Sequence, residues 1–349
     1  MARTGVLLTA FGGPDCLDAV APFMCSIMSA EPGERMLTEA QRKYLTIGGF
    51  SPLPAMAERI AAQLERVLNG IAPAEVTDDD GGTLGLWGGA LASLRTSETV
   101  RIPVAVGMLH SEPFIAAAVD RLVGAGARQI VTASLSPFEA AATTGAFREA
   151  VTAALEAHPG VRLVESASYH RSHEFVGLYA ENLNEALHEA DILANKAIVV
   201  FTAHSLPVSD VEADPAYVDQ LRETAAAVAA GAGLGAPSGF DALPGVEAFG
   251  GPGVTAPWLL AYQSKGRRGD EWLGPDLDVV LDAAVAGGFA VVVVCPVGFA
   301  VDHMETLYDL DVQAADRMLS ADKEFVRVAV PNADPKYIDA LADAVRKVL

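Results

Sequence analysis

The segment AIVVFTAHSLP, residues 197–207, carries the main signal for the fold of this chain. Residues 197–203 are almost all apolar, which is typical of a strand that is buried on both faces of a parallel sheet. His204 follows directly, and Ser205 and Pro207 form a tight turn that fixes the direction of its imidazole. Ligands bind beyond the carboxyl ends of the strands in such sheets, so His204 is a candidate functional residue. The alternative is a histidine that only hydrogen-bonds a loop, which is the commoner case when it stands alone.

On both sides of this segment, short apolar runs alternate with amphipathic helical stretches. In residues 54–68, for example, Met56, Ile60 and Leu64 lie on one helical face. The predicted strands are 6–10, 104–108, 129–134, 163–166, 197–203, 257–262, 290–295 and 326–330. The predicted helices are 54–68, 113–123, 145–157, 173–190, 214–230, 275–286, 302–319 and 334–349. This alternation predicts an α/β fold with parallel sheets that are flanked by helices.

The chain divides most naturally near residue 170 into two α/β halves, 1–170 and 171–333. We expect the last helix, 334–349, to pack back on the first half. Two segments without an amphipathic period, 70–101 and 235–256, read as insertions that are either functional lids or surface loops. No internal repeat is evident in the sequence.

Composition excludes several classes of protein. Hydrophobic residues make up 51% of the 349 residues and charged residues 20%, which excludes a disordered chain. The net charge of −21 argues against a nucleic-acid partner and against anionic membrane surfaces. The three cysteines, Cys16, Cys25 and Cys295, contain no CxxC pair and so predict neither a disulfide framework nor a four-cysteine metal site. A reducing cytoplasm fits this pattern.

One stretch, 283–301, is 19 residues long without a charge, which is the length of a membrane span. It contains Gly287, Gly288, Pro296 and Gly298, so a helix end, a turn and a buried strand explain it better. The apolar run at the N-terminus is too short for a signal peptide. We therefore expect no transmembrane segment.

The second candidate site follows another buried strand, in CPVGFAVDHME, residues 295–305. Asp302 is a reasonable N-cap for the helix that follows. On that helix Glu305, Asp309 and Gln313 are spaced i, i+4, i+8 and would share one face. A solvated face is the ordinary explanation for such spacing, but the apolar neighbours leave little free surface. A partly buried Glu305 would have a raised pKa and could exchange protons near neutrality.

Weaker signals complete the sequence pattern. The turn IGGFSPL, residues 47–53, places Ser51 at a helix start that suits a carboxylate or phosphate. The sequence has no P-loop, HExxH or GxSxG motif. His170 and His173 lack further ligands and read as surface or loop residues. Cys295 reads as a core residue.

Taken together, these segments resemble the ferrochelatase family, most closely its coproporphyrin-using branch. The matching pieces, in the order of the family, are LLTAFGGP (7–14), IGGFSPL (47–53), TAHSLP (202–207), QS (263–264), WLGPD (272–276), PVGF (296–299) with DHME (302–305), and PNADP (331–335). The resemblance implies two Rossmann-like domains with a porphyrin cleft between them. It also implies insertion of Fe(II), as substrate metal, into a porphyrin, with coproporphyrin III giving coprohaem in haem biosynthesis.

The resemblance also assigns roles to single residues. His204 matches the residue that contacts the metal or accepts a pyrrole proton, and Glu305 matches its partner across the macrocycle. Asp309 continues the acidic row as a third metal-facing residue. The positions that match the porphyrin pocket are Phe11, Lys43, Tyr44, Ser51 and Ser264. We expect a cytoplasmic monomer without an iron–sulfur cluster, because three scattered cysteines cannot supply its ligands.

Three positions depart from the family pattern. Gln313 stands where the acidic row usually continues, Phe11 where a tyrosine is often found near the metal, and residues 23–28 lack the arginines that often bind propionates. These departures leave open a relative that uses another metal or another tetrapyrrole. A non-catalytic tetrapyrrole carrier is the further alternative, although it would have no use for an acid–base pair.

Overall fold

The structure is a computed structural model that describes residues 3–71, 102–190, 196–234, 256–266 and 271–349. Its strands are β1 (Thr4–Ala10), β2 (Val104–Met108), β3 (Gln129–Ser134), β4 (Arg162–Glu165), β5 (Ala197–His204), β6 (Trp258–Gln263), β7 (Val291–Cys295) and β8 (Glu324–Arg327). Each predicted strand is present, with its ends shifted by three residues at most. The two predicted insertions, 70–101 and 235–256, lie almost wholly outside the described residues.

The α-helices in the described residues are α1 (Val20–Met28), α2 (Glu34–Thr46), α3 (Leu53–Leu68), α4 (Ile115–Gly124), α5 (Ala146–Leu155), α6 (His173–Glu189), α7 (Val208–Ala213), α8 (Ala216–Gly231), α9 (Leu277–Ala286), α10 (Met304–Leu307), α11 (Ala315–Ser320) and α12 (Pro335–Arg346). Three of them, α1, α2 and α7, are absent from the sequence prediction. The predicted helix 302–319 is interrupted between α10 and α11 by a π-helical segment, Asp309–Ala314. No helix among the described residues is long and apolar enough to cross a membrane.

The strands form two four-stranded sheets with the orders β2-β1-β3-β4 and β6-β5-β7-β8. Every strand pair in them is parallel. The central strands are buried along their length: in β5 each residue before His204 is buried. This confirms the predicted α/β class with parallel sheets flanked by helices. The uncharged stretch 283–301 is the end of α9, a turn and the buried strand β7, as expected.

The two sheets repeat one topology, which the sequence did not reveal. In each sheet the first strand lies between the second and the third, so β1 and β5 are equivalent. The segment TAFGGP (9–14) begins near the end of β1, and the segment TAHSLP (202–207) begins near the end of β5. The carbonyl oxygen of Thr9 accepts from Leu135 N at 2.9 Å, and that of Thr202 accepts from Gly298 N at 2.9 Å. Phe11 and His204 therefore occupy equivalent places, each just beyond a switch point where ligands bind in such sheets.

The C-terminal helix α12 packs against α3 and α6 and reaches β3. Tyr337, Leu341 and Val345 on this helix are completely buried, in a single apolar cluster that contains residues of both sheets. The hydroxyl of Tyr337 donates to the carbonyl oxygen of Leu135 at 3.3 Å. Burial stabilises by about 1.5–3 kcal/mol for each large apolar side chain, so α12 contributes substantially to joining the two sheets.

Candidate active site

The structure brings His204 and Glu305 into contact. His204 is the last residue of β5, and Glu305 lies in the first turn of α10, after β7. Because β5 and β7 are paired neighbours, their carboxyl ends meet at one edge of the sheet. His204 Nε2 lies 3.4 Å from Glu305 Oε1, and each side chain is about one-third exposed, at 34% and 31%. Solvent and small ligands can therefore reach the pair.

The backbone fixes the tautomer of His204. Its Nδ1 contacts the carbonyl oxygen of Ser205 at 2.5 Å. A carbonyl oxygen only accepts, so Nδ1 carries a proton and donates it. Nε2 is then the nitrogen that exchanges protons, and it faces Glu305. The hydroxyl of Tyr217 donates to the carbonyl oxygen of His204 at 2.8 Å, and Ser205 Oγ donates to Leu273 O at 2.9 Å, so the turn is held from two sides.

The two residues shift each other's pKa. Burial lowers the pKa of His204, but the charge and hydrogen bond of Glu305 outweigh it and raise the pKa to about 8. His204 is therefore an imidazolium at neutral pH. An imidazolium cannot accept a proton, so the proton-accepting role that the resemblance implies for His204 requires Nε2 to lose its proton first.

Glu305 also departs from its expected behaviour. Burial raises its pKa, as predicted, but the cationic groups around it outweigh burial and hold the pKa below its usual range. The largest opposing contribution comes from His204, with smaller ones from His303 and Lys43. The prediction of a raised pKa is wrong, because His204, the largest contributor, and Lys43 come from segments far from Glu305 in the chain and the sequence does not show their proximity.

The 3.4 Å separation also bears on where a porphyrin can bind. A flat macrocycle between the two side chains would make a van der Waals contact on each of its faces. The two side chains would then have to be about 7 Å apart. A ring therefore does not fit between His204 and Glu305 in this conformation. Their placement on opposite faces of a macrocycle, which the resemblance implies, would require the two side chains to separate.

Asp309, Ser264 and Lys43, three of the candidate residues, lie together next to this pair. Ser264 Oγ donates to Asp309 Oδ2 at 2.5 Å. Lys43 Nζ lies 3.9 Å from Asp309 Oδ1 and 4.9 Å from the centre of the Tyr308 ring. Burial, helped by the charge of Glu305, raises the pKa of Asp309, although Ser264 and Lys43 act against it. Asp309 therefore takes up a proton at a higher pH than an exposed aspartate does.

The acidic row ends at Asp309 and does not include Gln313. The segment Asp309–Ala314 is π-helical, and Gln313 N donates to Tyr308 O, five residues back, at 2.9 Å. This wider turn breaks the i, i+4, i+8 alignment that a regular α-helix would give, and Gln313 is exposed where Asp309 is half-buried. Such wide turns are frequent at functional sites.

The helix that carries Glu305 is capped by His303 and not by Asp302, which corrects the predicted N-cap. His303 Nδ1 accepts from Glu305 N at 3.1 Å, and Thr306 Oγ1 accepts from His303 N at 3.0 Å. Burial lowers the pKa of His303, although Glu305 and Asp302 act against it. Asp302 instead accepts from Arg327 at 3.1 Å and from Asn332 Nδ2 at 2.8 Å. These contacts anchor the start of α10 to β8.

Gln263 is a site residue that the sequence analysis did not single out. It pairs with His204 in the register of β5 and β6, and its Nε2 donates to the carbonyl oxygen of Glu305 at 2.7 Å. Its Oε1 is buried and has no hydrogen-bond partner among the described residues. One side chain thus connects the strand that carries His204 to the helix that carries Glu305. Two features of the sequence could have identified Gln263: it directly follows a predicted strand, and it belongs to the QS motif at 263–264.

The predicted porphyrin-binding residues Phe11, Tyr44 and Ser51 lie on elements of the first half. Phe11 makes an edge contact with His110, with ring centres 4.5 Å apart. Burial lowers the pKa of His110, which the sequence analysis overlooked although it follows the end of β2. Tyr44 and Ser51 are only 6% and 4% exposed. Burial and then the charge of Glu305 raise the pKa of Tyr44, so this phenol stays neutral near His204 and Glu305.

No group of three His, Cys, Asp or Glu side chains in the described part of the chain is arranged as a closed metal site. The set His204, Glu305 and Asp309 therefore stays a prediction for a metal that passes through as substrate. His170 is not part of this set: its Nε2 contacts Glu223 Oε2 at 3.2 Å. Cys295 is completely buried and its pKa is raised by burial, in keeping with a core residue.

Comparison with known proteins relates the chain to metal chelatases. The model of the family described as Ferrochelatase matches residues 88–349. A protein of Halalkalibacterium halodurans named coproporphyrin III ferrochelatase is 27% identical over 349 residues, which cover 99% of this chain and 97% of that one. The coproporphyrin III ferrochelatase of Bacillus subtilis is 28% identical, with 99% of this chain and 98% of that one covered.

Solved structures agree on the fold. The structure of SirB from Bacillus subtilis with Fe3+ covers 99% of this chain and 95% of its own length, with a TM-score of 0.52. The sequence identity in that comparison is 13%, so the likeness concerns the fold alone.

Proposed function

The chain belongs to the ferrochelatase family, and from that premise we propose that it inserts Fe(II) into coproporphyrin III to give coprohaem, a step of haem biosynthesis. The observation that carries the proposal is the contact between His204 and Glu305 at 3.4 Å, with Asp309 continuing the acidic row. The names of relatives that match over nearly the full length support coproporphyrin III as the porphyrin.

Insertion exchanges two pyrrole protons for one metal ion, so the site has to supply a base and a route for the cation. Glu305 and Asp309 supply carboxylate oxygens, which Fe(II) can use as ligands. A divalent cation at Glu305 competes with the imidazolium for the same carboxylate and lowers the pKa of His204. Nε2 then loses its proton to solvent, which reaches the pair, and can accept the two pyrrole protons one after the other and pass each to solvent, while Nδ1 stays bound to Ser205 O.

The proposal is tested with purified protein, Fe(II) without oxygen, and coproporphyrin III, by following the porphyrin absorption band as the metal enters. We expect His204→Ala to keep porphyrin binding, measured by fluorescence quenching, and to abolish insertion. His173→Ala, at an exposed histidine on α6, is the matched control and should insert at the wild-type rate. Insertion by His204→Ala at the wild-type rate would contradict the assigned base. No insertion by the wild-type protein would contradict the proposed reaction.

The second candidate function is a chelatase for another metal or another tetrapyrrole. Two observations favour it: Gln313 is exposed outside the acidic row, and α1 carries no arginine to bind propionates. A competition assay with Fe(II), Co(II), Ni(II) and Zn(II) on coproporphyrin III and protoporphyrin IX distinguishes the two. A tetrapyrrole carrier would bind the ring and metallate none of them.

We further propose that the protein works as a cytoplasmic monomer without an iron–sulfur cluster. The cysteine pattern supports this, since Cys16 is exposed, Cys25 half-buried and Cys295 buried at the end of β7. Light scattering after size exclusion would give the mass, to be compared with 36.3 kDa for one chain. Acid-labile sulfide in protein purified without oxygen would contradict the absence of a cluster.

A further inference from the structure

Lys43 lies against the acidic row, which consists of Glu305 and Asp309. Its Nζ is 3.9 Å from Asp309 Oδ1 and 4.9 Å from the centre of the Tyr308 ring. Its charge reaches both carboxylates of the row, since it acts to lower the pKa of Asp309 and of Glu305, in each case against burial. One ammonium group therefore partly neutralises the two oxygen ligands that a substrate cation would use.

This ammonium opposes the entry of a metal ion. The repulsion between a unit charge and a divalent cation is twice that between two unit charges at the same distance. Asp309 is only 19% exposed, so solvent screens this repulsion less than it would at an open surface. As long as Lys43 stays in place, the row is a weak site for a divalent ion.

The attachment of Lys43 is loose. The 3.9 Å separation from Asp309 is an ion pair that is too long for a hydrogen bond, and the side chain is 29% exposed. Lysine has a flexible four-carbon stem, so its ammonium can move to another anion without a change in the backbone. By contrast, Ser264 holds the other oxygen of Asp309 at 2.5 Å and would keep the carboxylate in place.

We propose that Lys43 couples recognition of a carboxylate on the porphyrin to delivery of the metal. In the empty protein it neutralises the Glu305–Asp309 row, and a carboxylate of the bound ring draws its ammonium away and leaves the row open to a divalent cation. The inference rests on the proposed function, because it takes the substrate to be a carboxylated porphyrin. By linkage, a bound metal must strengthen porphyrin binding by the same factor.

The first test measures binding of Co(II) to the protein without porphyrin, by calorimetry at low ionic strength. We expect Lys43→Gln to bind Co(II) about tenfold more tightly than the wild type, and the difference to shrink as salt is added. Lys43→Arg keeps the charge and should bind like the wild type. Arg42→Gln, which removes a charge from the exposed neighbouring position of α2, is the matched control and should also bind like the wild type.

Equal Co(II) affinity in Lys43→Gln and the wild type would overturn the proposal, as would an equal gain in Arg42→Gln. The second test uses wild-type protein only, so it holds even if a variant fails to fold. Zinc coproporphyrin, which cannot take a second metal, should tighten Co(II) binding, and zinc etioporphyrin, which has no carboxylates, should not. The same effect from both rings would overturn the coupling and leave the chelatase activity, which is measured separately, untouched.

Discussion

At the residue scale, His204 and Glu305 each stabilise the charged form of the other. Alone, a buried imidazole is neutral and a buried carboxyl resists ionisation. At 3.4 Å the pair reverses both tendencies, with the pKa of His204 raised to about 8 and that of Glu305 lowered. His204 therefore keeps a proton on Nε2 until the pH rises or another cation takes the place of the imidazolium at the Glu305 carboxylate.

The first prediction concerns the pH dependence of this pair. The raised pKa of His204 stabilises the fold below its ordinary value of 6.5, and this contribution is lost as the pH rises through about 8. The lowered pKa of Glu305 stabilises the fold above its ordinary value of 4.5 and is lost as the pH falls through the lowered value. The pair therefore stabilises most between pH 4.5 and 6.5, and Glu305→Gln should cost most stability in that window.

Nuclear magnetic resonance titration of the His204 ring checks the same prediction directly. We expect a midpoint near pH 8 in the wild type and a lower one in Glu305→Gln, because burial is then opposed only by the smaller contributions of the Ser205 carbonyl and of Asp309. Glu223→Gln, which removes the partner of His170 at the surface, is the control and should leave the midpoint of His204 unchanged. A midpoint near 6.5 in the wild type would mean that the ion pair does not form in solution.

At the scale of elements, the position of His204 depends on the close approach of two backbones. Gly298, in the loop after β7, lies so near Ala203 that a Cβ on it would be 2.5 Å from the Ala203 Cβ and 2.6 Å from the Ala203 Cα. Backbone atoms cannot move aside as a flexible side chain does. The loop between β7 and α10 is therefore fixed against the residue that precedes His204, and Glu305 follows at the start of α10.

The second prediction follows from this contact. Gly298→Ala should lower the free energy of unfolding by about 1–3 kcal/mol, as overpacking does, and should reduce insertion more than porphyrin binding because it separates His204 from Glu305. Denaturant titration and an insertion assay measure the two effects. Gly177→Ala is the matched control: nothing lies within 4 Å of its added Cβ in the middle of α6, so it should be neutral or stabilise by about 0.5–1 kcal/mol. Equal behaviour of the two variants would contradict the contact.

At the scale of the whole molecule, one apolar cluster joins the two sheets. It includes Val6 and Leu8 of β1, Val199 and Phe201 of β5, and much of α12. The loop after β3 adds a second connection, because Phe138 packs with Ala203, Tyr217 and Tyr262 of the other half. A site built from both halves requires such a fixed arrangement, since Lys43 comes from α2 and Asp309 follows α10.

The third prediction is that the two halves unfold together. Leu341→Ala removes a completely buried side chain of α12 and should lower the free energy of unfolding by about 2–5 kcal/mol. Leu319→Ala is the control, because Leu319 is 74% exposed and its loss should change stability by less than about 0.5 kcal/mol. Urea unfolding followed by far-ultraviolet dichroism and by tryptophan fluorescence should give one coincident transition in each variant. Two separate transitions would show that the halves fold independently.

The sequence by itself determined the layers of this protein and the places where chemistry could occur. Alternating apolar runs gave the strands of both sheets, and the rule of carboxyl strand ends located His204 and Glu305 correctly. These features are local, because hydrophobic period and turn residues act within a few positions of the chain.

Only the tertiary structure decided how those residues behave. The expected raised pKa of Glu305 fails because of one distance, the 3.4 Å between Nε2 and Oε1, which also raises the pKa of His204 to about 8. The π-helical turn after Tyr308, the equivalence of Phe11 and His204, and the position of Lys43 over Asp309 were equally hidden. Charge and packing act through space between segments hundreds of residues apart, and sequence patterns record only neighbours along the chain.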